Sequence, residues 1–388
     1  MVSIMAAMKT HLLGGLTPNR FLRHYWQKKP LLVRAAVPGF TGLIAKPALF
    51  ALAGREATES RLVRQLGSQG SQRSKWLLDH GPFSRSDFAA LPERRWTLLL
   101  QGLNLVLPSA DALLRSFAFI PYARLDDVML SYAAPGGGVG PHVDSYDVFL
   151  LQGQGRRRWR ISHQQNLALD ARAPLKILKS FRADEEWVLD PGDMLYLPPG
   201  VAHEGVALST CTTYSIGFRA PAAQELALGF LDFVQDGIAL TGRYADPDLA
   251  PTRHPGEISA AMISAALRCL ARIRWGRREV ERFLGEYLAT PKPVVRFTRP
   301  ARPMSPLRFA AQGLKHGLRL DTRTLLLYRG GGFYINGETL QAGHAARATL
   351  VRLADARVLP AGLALRGELA ELFYTWYCLG YLSPCQPA

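Results

Sequence analysis

Two histidines and one aspartate stand at a spacing that suits a metal ion. His142 and Asp144 are two residues apart, and His203 follows 59 residues after Asp144. Residues i and i+2 of a β-strand project from the same face, so His142 and Asp144 can offer an imidazole nitrogen and a carboxylate oxygen to one ion. Two imidazoles and one carboxylate on one face of an octahedral ion leave three positions open, as in non-haem Fe(II) oxygenases. We therefore predict that these three residues form a metal site and catalytic centre.

The segment that contains His203 makes this prediction more specific. An isolated His-x-Asp arises by chance, and a lone histidine is more often a hydrogen-bonded structural residue. His203, however, ends the segment DPGDMLYLPPGVAH, in which a Pro-Gly-Asp turn, a short apolar strand and a Pro-Pro-Gly turn precede the imidazole. We interpret this segment as a β-hairpin whose far end presents His203. The same ligand types also hold zinc, so the choice of metal needs a further observation.

Three consecutive arginines favour iron together with an oxoacid. The run Arg156–Arg158 follows the strand-like segment Tyr146–Gln152 after the tight link Gly153–Gly155, which predicts a second hairpin. Strand alternation sends Arg157 to the face opposite its two neighbours. If Arg157 faces the inside of a barrel, it can clamp a dicarboxylate beside the metal strand. If it faces outward, the run is a surface basic cluster, and alternation alone does not decide between the two.

Short strands and tight turns must position these side chains. From about residue 21 to 220, β-type runs alternate with turns that contain glycine or proline, a pattern typical of a sandwich or barrel. The glycine-rich run at 136–140 precedes a strand and lacks the Gly-Lys-Ser/Thr ending of a phosphate loop, so we expect it to allow close backbone packing instead. The predicted strands include Val128–Ala134, Tyr146–Gln152, Arg156–Ile161, Trp187–Leu189, Met194–Leu197 and Cys211–Phe218.

Helical periodicity begins after Arg219. The prolines at 291 and 293 mark a linker, and Gly330–Gly332 is expected to be the turn of a two-stranded wing. We therefore predict three domains, at residues 1–220, 221–291 and 292–388. The predicted helices are Pro221–Asp236, Glu257–Ile273, Arg277–Leu288, Leu307–Gly317, Ala345–Ala354 and Leu363–Leu382.

The composition indicates a folded, strongly basic protein. The chain has 388 residues, of which 48% are apolar, and a formal charge of +16. Its four cysteines form no C-x-x-C pair, and we find neither a secretory signal nor an apolar run long enough to span a membrane. We expect a soluble cytoplasmic protein that does not interact with membranes.

Half of the excess positive charge lies in one segment. Residues 292–329 contain nine lysines and arginines and one acidic residue. This segment predicts a docking surface for an anionic partner such as RNA. The alternative is a solvated basic face with a linker, and a genome-wide preference for arginine codons would also raise the charge.

Several of these segments closely resemble the bacterial ribosomal-protein arginine hydroxylases, which are JmjC-type members of the cupin superfamily. The resemblance lies between Ser131 and Arg219, in PGGGVGPHVDSYDVFLLQGQGRRRWRI, PGDMLYLPPGVAHEG and TYSIGFRAP, and the segment FLRHYWQKKPLLV at Phe21–Val33 is similar to the amino-terminal part of that family. It implies a mainly β protein with added helices. The expected order is a double-stranded β-helix (the cupin/JmjC jelly roll), a helical dimerisation region and a winged-helix-like carboxy-terminal domain.

The resemblance also implies a role for each residue at the cofactor. His142, Asp144 and His203 would bind Fe(II). Arg157 would bind the distal carboxylate of 2-oxoglutarate, with help from Ser131 on an adjacent strand. One question stays open, namely which of four neighbouring residues face the cofactor: Thr212, Thr213, Tyr214 and Ser215.

The family's arginine pocket falls on Asp127, Met129 and Tyr146. A carboxylate supplies the negative charge that a guanidinium requires, and the other two side chains can enclose the methylene stem. The structural alternatives are a strand-end carboxylate for Asp127 and core packing for Met129 and Tyr146.

The predicted protein is an Fe(II)- and 2-oxoglutarate-dependent dioxygenase that uses O2 and releases succinate and CO2. By resemblance, it hydroxylates the β-carbon of an arginine in a large-subunit ribosomal protein, the sixteenth, and forms a homodimer through its post-barrel helices. Two alternatives remain. One is a JmjC-type histidine hydroxylase or demethylase of another protein, and the other is a non-enzymatic cupin module that binds the ribosome or RNA.

Overall fold

The computed structural model describes residues 11–66, 75–247 and 249–386. They form two compact units. The first comprises the described part of Met1–Ala220 with Pro293–Phe297 and Asp321–Arg323, and the second comprises the remaining segments from Pro221 onward. The chain therefore passes into the second unit close to where the helical periodicity begins. The finer division into domains at 1–220, 221–291 and 292–388 stays a prediction.

The first unit is built mainly from strands. Its elements are α1 (Pro18–His24), β1 (Leu31–Val33), α2 (Lys46–Ala53), β2 (Ser60–Leu66), β3 (Lys75–His80), α3 (Arg85–Ala89), β4 (Trp96–Leu100), α4 (Pro108–Arg115), β5 (Leu125–Ala133), β6 (His142–Val143), β7 (Val148–Gln152), β8 (Arg157–Ser162), β9 (Glu185–Leu189), β10 (Met194–Leu197), β11 (Ala202–Ala207) and β12 (Cys211–Phe218).

The strands of this unit form two antiparallel sheets. The larger has the order β1-β10-β7-β12-β5-β4-β2-β3, and the smaller has the order β6-β11-β8-β9. From β5 to β12 the chain changes sheet at almost every connection, which is the jelly-roll winding of a double-stranded β-helix. The predicted fold class is confirmed.

Both predicted hairpins are wrong. β7 pairs with β10 and β12, whereas β8 pairs with β9 and β11, so the link Gly153–Gly155 passes between sheets. The turn before His203 likewise joins β10 in one sheet to β11 in the other. Two strands around a short turn have the same local sequence pattern whether they pair with each other or with distant strands. The pairing is decided by the long-range winding of the barrel.

The larger sheet is covered by apolar side chains on both faces around β7. Phe149 and Leu151 belong to the largest core cluster, where the Phe149 ring centroid lies 5.5 Å from that of Phe21. Val148 and Leu150 belong to a separate cluster with Trp159. Each residue of β7 is consequently buried. This packing holds the strands that position the site.

The glycine-rich run before β6 packs closely against two neighbouring segments. A Cβ on Gly137 would collide with the Trp96 carbonyl oxygen, and a Cβ on Gly138 would lie 2.5 Å from the Gly205 carbonyl oxygen. Close backbone approach, as expected from the sequence, therefore requires glycine at these positions.

The second unit combines helices with short strands. Its elements are α5 (Ala223–Gln235), α6 (Ala260–Leu270), α7 (Arg277–Ala289), α8 (Pro306–His316), β13 (Leu318–Leu320), β14 (Leu326–Arg329), β15 (Gly332–Ile335), β16 (Glu338–Gln341), α9 (His344–Ala356), β17 (Val358–Leu359), α10 (Glu368–Leu379) and β18 (Leu382–Pro384).

The wing contains one strand more than the two predicted. β14, β15 and β16 form one antiparallel sheet, and Asn336-Gly337 connects the last two strands. Both turn residues have positive φ, +50° and +93°, which is the backbone that an Asn-Gly hairpin turn adopts. This dipeptide was the available sequence signal for the third strand. Among the described residues, no helix has the length and apolar character needed to cross a membrane.

Candidate active site

The two sheets bring His142, Asp144 and His203 together. His142 on β6 pairs directly with His203 on β11, and Asp144 follows β6. The Nε2 atoms of His142 and His203 lie 3.9 Å and 3.6 Å from the nearer carboxylate oxygens of Asp144. One ligand atom of each residue lies within 4.8 Å of the others. A single ion can therefore contact all three.

Backbone carbonyls orient both imidazoles. His142 Nδ1 lies 3.0 Å from the Gly140 carbonyl oxygen, and His203 Nδ1 lies 3.0 Å from that of Val201. Because a carbonyl oxygen only accepts hydrogen bonds, each Nδ1 carries the proton and each Nε2 keeps its lone pair for the ion. Burial, with a smaller contribution from His142, lowers the pKa of His203 to about 4. His203 is therefore neutral at pH 7, as a metal ligand must be.

The same cavity contains a buried guanidinium and a buried hydroxyl. Arg157 is 4% exposed and Ser131 is 3% exposed, so Arg157 faces inward, as strand alternation allowed. Within the described part of the chain, Arg157 Nε and Nη2 and Ser131 Oγ have no hydrogen-bond partner. Each buried donor without a partner costs about 1–3 kcal/mol, so a ligand with a carboxylate would be stabilised here. These donors fit the distal carboxylate of 2-oxoglutarate.

The structure resolves the open question of the four residues on β12. The Thr212 and Tyr214 hydroxyls accept hydrogen bonds from the backbone N–H groups of Gln154 and Leu43, away from the cavity. Thr213 donates to Gln152 Oε1, and Ser215, two residues further on the same face, lines the cavity. Ser215 is therefore the one of the four that reaches the site.

The predicted arginine-binding residues lie in the same cavity, which has a volume of about 550 Å³. Asp127 is buried and accepts hydrogen bonds at Oδ2 from Gln101 Nε2 and from the Gly102 backbone N–H. Met129 also lines the cavity, and Tyr146 is 39% exposed. Burial, followed by the charge of Asp144, raises the pKa of Tyr146, so its hydroxyl stays protonated. The structure thus brings all three residues together, and their roles stay predictions.

Sequence reasoning missed other cavity residues. Arg61 and His80 enter it from β2 and β3, Gln101 follows β4, and Trp159 lies on β8. Trp159 Nε1 is another buried donor without a partner among the described residues. Trp159 lies two residues after Arg157 and therefore projects from the same strand face, which was a usable signal. The other three lacked one, because only long-range strand pairing brings β2, β3 and β4 to the site.

The geometry and fold agree with comparisons to known proteins. A family profile described as a JmjC domain matches residues 112–226, one described as a ROXA-like winged helix matches 272–383, and one described as an AraC-like ligand binding domain matches 179–281. The fold and the His-Asp-His site define a JmjC-type, 2-oxoglutarate-dependent dioxygenase with iron as its metal.

Two curated relatives define the family more narrowly. The chain is 35% identical over 328 residues to the ribosomal protein uL16 3-hydroxylase of Escherichia coli, covering 84% of this chain and 85% of that protein. A probable ribosomal oxygenase of Haemophilus influenzae is 39% identical over 238 residues, covering 60% of this chain and 55% of that protein. The chain belongs to the ribosomal oxygenase family.

Solved structures extend the likeness to nearly the whole chain. The crystal structure of E. coli YcfD has a TM-score of 0.82 at 32% identity, covering 95% of this chain and 98% of that one. The YcfD ribosomal oxygenase in complex with cobalt and 2-oxoglutarate has a TM-score of 0.80 at 32% identity, with the same coverage. The predictions of family, enzyme class and cofactors are confirmed.

Proposed function

We propose that this protein hydroxylates the β-carbon of an arginine in the large-subunit ribosomal protein uL16. The observation that supports this most directly is the buried carboxylate of Asp127, which shares one cavity with the His-Asp-His site and with Arg157. A buried acid in a protein of net charge +16 suits a cationic side chain. The name of the E. coli relative supplies the substrate protein.

The side chains of this protein bind and orient, whereas the bound cofactors supply the oxidation. Iron with 2-oxoglutarate and O2 provides the power to insert one oxygen atom into a C–H bond, with succinate and CO2 as co-products. Arg157 and Ser131 hold the distal end of the oxoacid. Asp127 holds the substrate guanidinium, while Met129 and Tyr146 pack along its methylene stem. These contacts fix the β-carbon relative to the metal site, which is the positioning contribution to catalysis.

Mass spectrometry of ribosomes tests this proposal. uL16 from cells that contain the gene should carry one additional oxygen atom on an arginine, and uL16 from cells without the gene should not. Complementation with wild-type protein should restore the modification, whereas complementation with Asp127→Asn should restore a smaller fraction of it. An oxygen on a histidine, or an unmodified uL16 with intact 2-oxoglutarate turnover, would contradict the arginine assignment.

We also propose that a second copy of the chain covers the exposed apolar face of α5 and α6. Leu228 and Leu231 on α5 are 54% and 63% exposed, and Ile263, Leu267 and Leu270 on α6 are 52–60% exposed. Apolar faces of this extent on two helices are typical of subunit interfaces.

Light scattering tests this dimer. The double substitution Leu231→Asp with Leu267→Asp should convert a dimer into a monomer. Leu307→Asp, at a leucine on α8 that is 86% exposed, is the matched control and should leave the mass unchanged. A monomeric wild-type protein would contradict the proposal.

We further propose that exposed cations of the segment 292–329 contact ribosomal RNA, and that the protein acts in the cytoplasm, where ribosomes assemble. Arg302, Arg308 and Arg319 are exposed. Replacement of these three arginines by glutamate should weaken binding to large-subunit RNA and reduce its salt dependence. Arg243→Glu, outside the segment, is the control. Equal effects of the two changes would contradict an RNA contact by this segment.

A further inference from the structure

Two polar side chains stand behind the proposed arginine pocket. Arg61 lies on β2 and Gln101 directly follows β4, and both line the cavity that contains Asp127 and Met129. Neither residue is needed to hold the metal or the oxoacid in the assignment given above. Their contacts therefore point to another role.

The contacts form a chain that ends at the pocket carboxylate. Arg61 Nη2 donates to Gln101 Oε1 at 3.4 Å, and Gln101 Nε2 donates to Asp127 Oδ2. A guanidinium has only donors, so it can face the oxygen of the Gln101 amide but not its NH2 group. Arg61 thereby fixes which end of the amide faces Asp127.

Two donors fix one oxygen, Oδ2, of the Asp127 carboxylate. Gln101 and the Gly102 backbone N–H, the latter at 3.2 Å, both donate to Oδ2. Oδ1 lies toward Gly217, where a Cβ would approach it to 3.4 Å, and Gly217 lines the cavity. The absence of a side chain at Gly217 leaves room beside this oxygen. A planar guanidinium requires a carboxylate of defined orientation, so fixing Oδ2 matters for recognition.

Arg61 also contacts the apolar part of the pocket. Its Nη2 lies 3.9 Å from Met129 Sδ, so the same guanidinium restrains a second pocket residue. Methionine has three rotatable bonds and needs such a contact to keep one conformation.

We propose that Arg61 and Gln101 are positioning residues for arginine recognition. Arg61 orients the Gln101 amide, Gln101 orients the Asp127 carboxylate, and Arg61 restrains Met129. This inference rests on the proposed role of Asp127 in binding the substrate guanidinium.

Steady-state kinetics with recombinant uL16 and the iron- and 2-oxoglutarate-loaded enzyme test the proposal. Arg61→Met and Gln101→Leu should each raise the KM for uL16 about tenfold, and should raise KM by more than they lower kcat. Arg61→Lys keeps a donor toward Gln101 and should recover part of the loss. Gln101→Glu places a second carboxylate against Asp127 and should raise KM further than Gln101→Leu.

A matched control lies on the same strand. Arg64 is three residues from Arg61, projects from the other face and pairs with Asp79 at 2.8 Å. Arg64→Met should leave the KM for uL16 within about twofold of wild type. A matching rise in KM for Arg64→Met would show that loss of any β2 arginine disturbs the pocket, and would overturn the proposal.

Combination with Asp127→Asn separates this inference from the proposed function. If Arg61 and Gln101 act through Asp127, their substitutions should have little further effect on KM in the Asp127→Asn background. If Asp127→Asn itself leaves KM unchanged, the proposed arginine pocket is wrong. If Asp127→Asn raises KM strongly while Arg61→Met and Gln101→Leu behave as wild type, only the positioning role is wrong.

Thermal unfolding of each variant identifies any that fail to fold. If Arg61→Met does not fold, the KM of the more conservative Arg61→Lys variant tests the positioning role in its place.

Discussion

The two ends of the active-site cavity differ in whether their buried charged groups are already hydrogen-bonded. At the oxoacid end, donors of Arg157 and Ser131 are buried without a hydrogen-bond partner in the described part of the chain. At the opposite end, Asp127 is equally buried but already accepts hydrogen bonds from Gln101 and the Gly102 backbone. The first end is completed only by its ligand, whereas the second is organised before its ligand arrives.

This difference follows from what each end must bind. A small dicarboxylate can enter the barrel completely and satisfy several buried donors at once. An arginine that remains part of a protein reaches the site by its side chain alone, and Tyr146 at this end stays partly exposed. Because Asp127 is already held in one orientation, binding does not spend free energy on ordering its carboxylate. This matters when only one side chain of the substrate protein contributes to binding.

The metal site, which both ends share, should show the largest effect. Asp144→Ala removes the only carboxylate of the triad, and we expect a loss of succinate formation of about a thousandfold or more. Bound iron, measured by metal analysis, should fall in parallel. His163→Gln, at a histidine that is 55% exposed and faces Glu185, is a suitable control. Iron retention together with normal turnover in Asp144→Ala would refute the site.

Arg157→Met should have the next largest effect and is the sharpest test of the comparison. Loss of a paired, charged hydrogen bond should raise the KM for 2-oxoglutarate about a hundredfold. The ligand-free protein should become more stable, because two buried donors that lack a hydrogen-bond partner among the described residues disappear. Kinetics and thermal unfolding measure the two effects, with the exposed neighbour Arg156→Met as control. A ligand-free Arg157→Met protein that is less stable than wild type would contradict the contrast between the two ends.

Asp127→Asn should act at the other end and with the opposite sign on stability. We expect the KM for uL16 to rise about thirtyfold, since the charge of the guanidinium partner is lost. The ligand-free protein should lose stability, because Asp127 is already hydrogen-bonded there. Asp79→Asn, in a surface ion pair, is the control for both measurements. A larger change in the KM for 2-oxoglutarate than in the KM for uL16 would indicate that Asp127 serves the oxoacid end, and would contradict its assignment to the substrate end.

Ser131→Ala should have the smallest effect. Removal of one neutral donor to the oxoacid should raise the KM for 2-oxoglutarate about threefold, with Arg157 still in place. Combination with Arg157→Met should be non-additive, since both side chains serve the same carboxylate. Strict additivity in the double variant would indicate separate roles.

The sequence was most informative where local geometry decides the outcome. The i and i+2 spacing predicted that His142 and Asp144 point the same way, and the structure places them together with His203, although β6 ends at Val143 and Asp144 follows it. Arg157 was correctly separated from its neighbours by the same rule, although alternation could not tell which face was buried. The ends of β10 and β12 were predicted correctly because turn residues bound both strands.

The sequence was least informative where distant strands decide the outcome. Both predicted hairpins failed, because short turns in this barrel change sheet. Arg61 and Gln101 were missed for a related reason: β2 and β4 reach the cavity only by pairing beside β5. Their polar side chains look like those of any exposed strand end until the neighbouring Asp127 is known.

The backbone contact between Gly138 and Gly205 has a consequence for protein engineering. Gly205 stands two residues after His203, and Gly138 precedes His142 by four, so this contact spaces the two chain segments that present the histidines. A longer loop can therefore be grafted near the metal site only where it leaves Gly138 and Gly205 in place. A methyl group at Gly138 would push β11 away from the segment that precedes β6. The distance between the two histidines would then increase, although none of the three metal ligands had been changed.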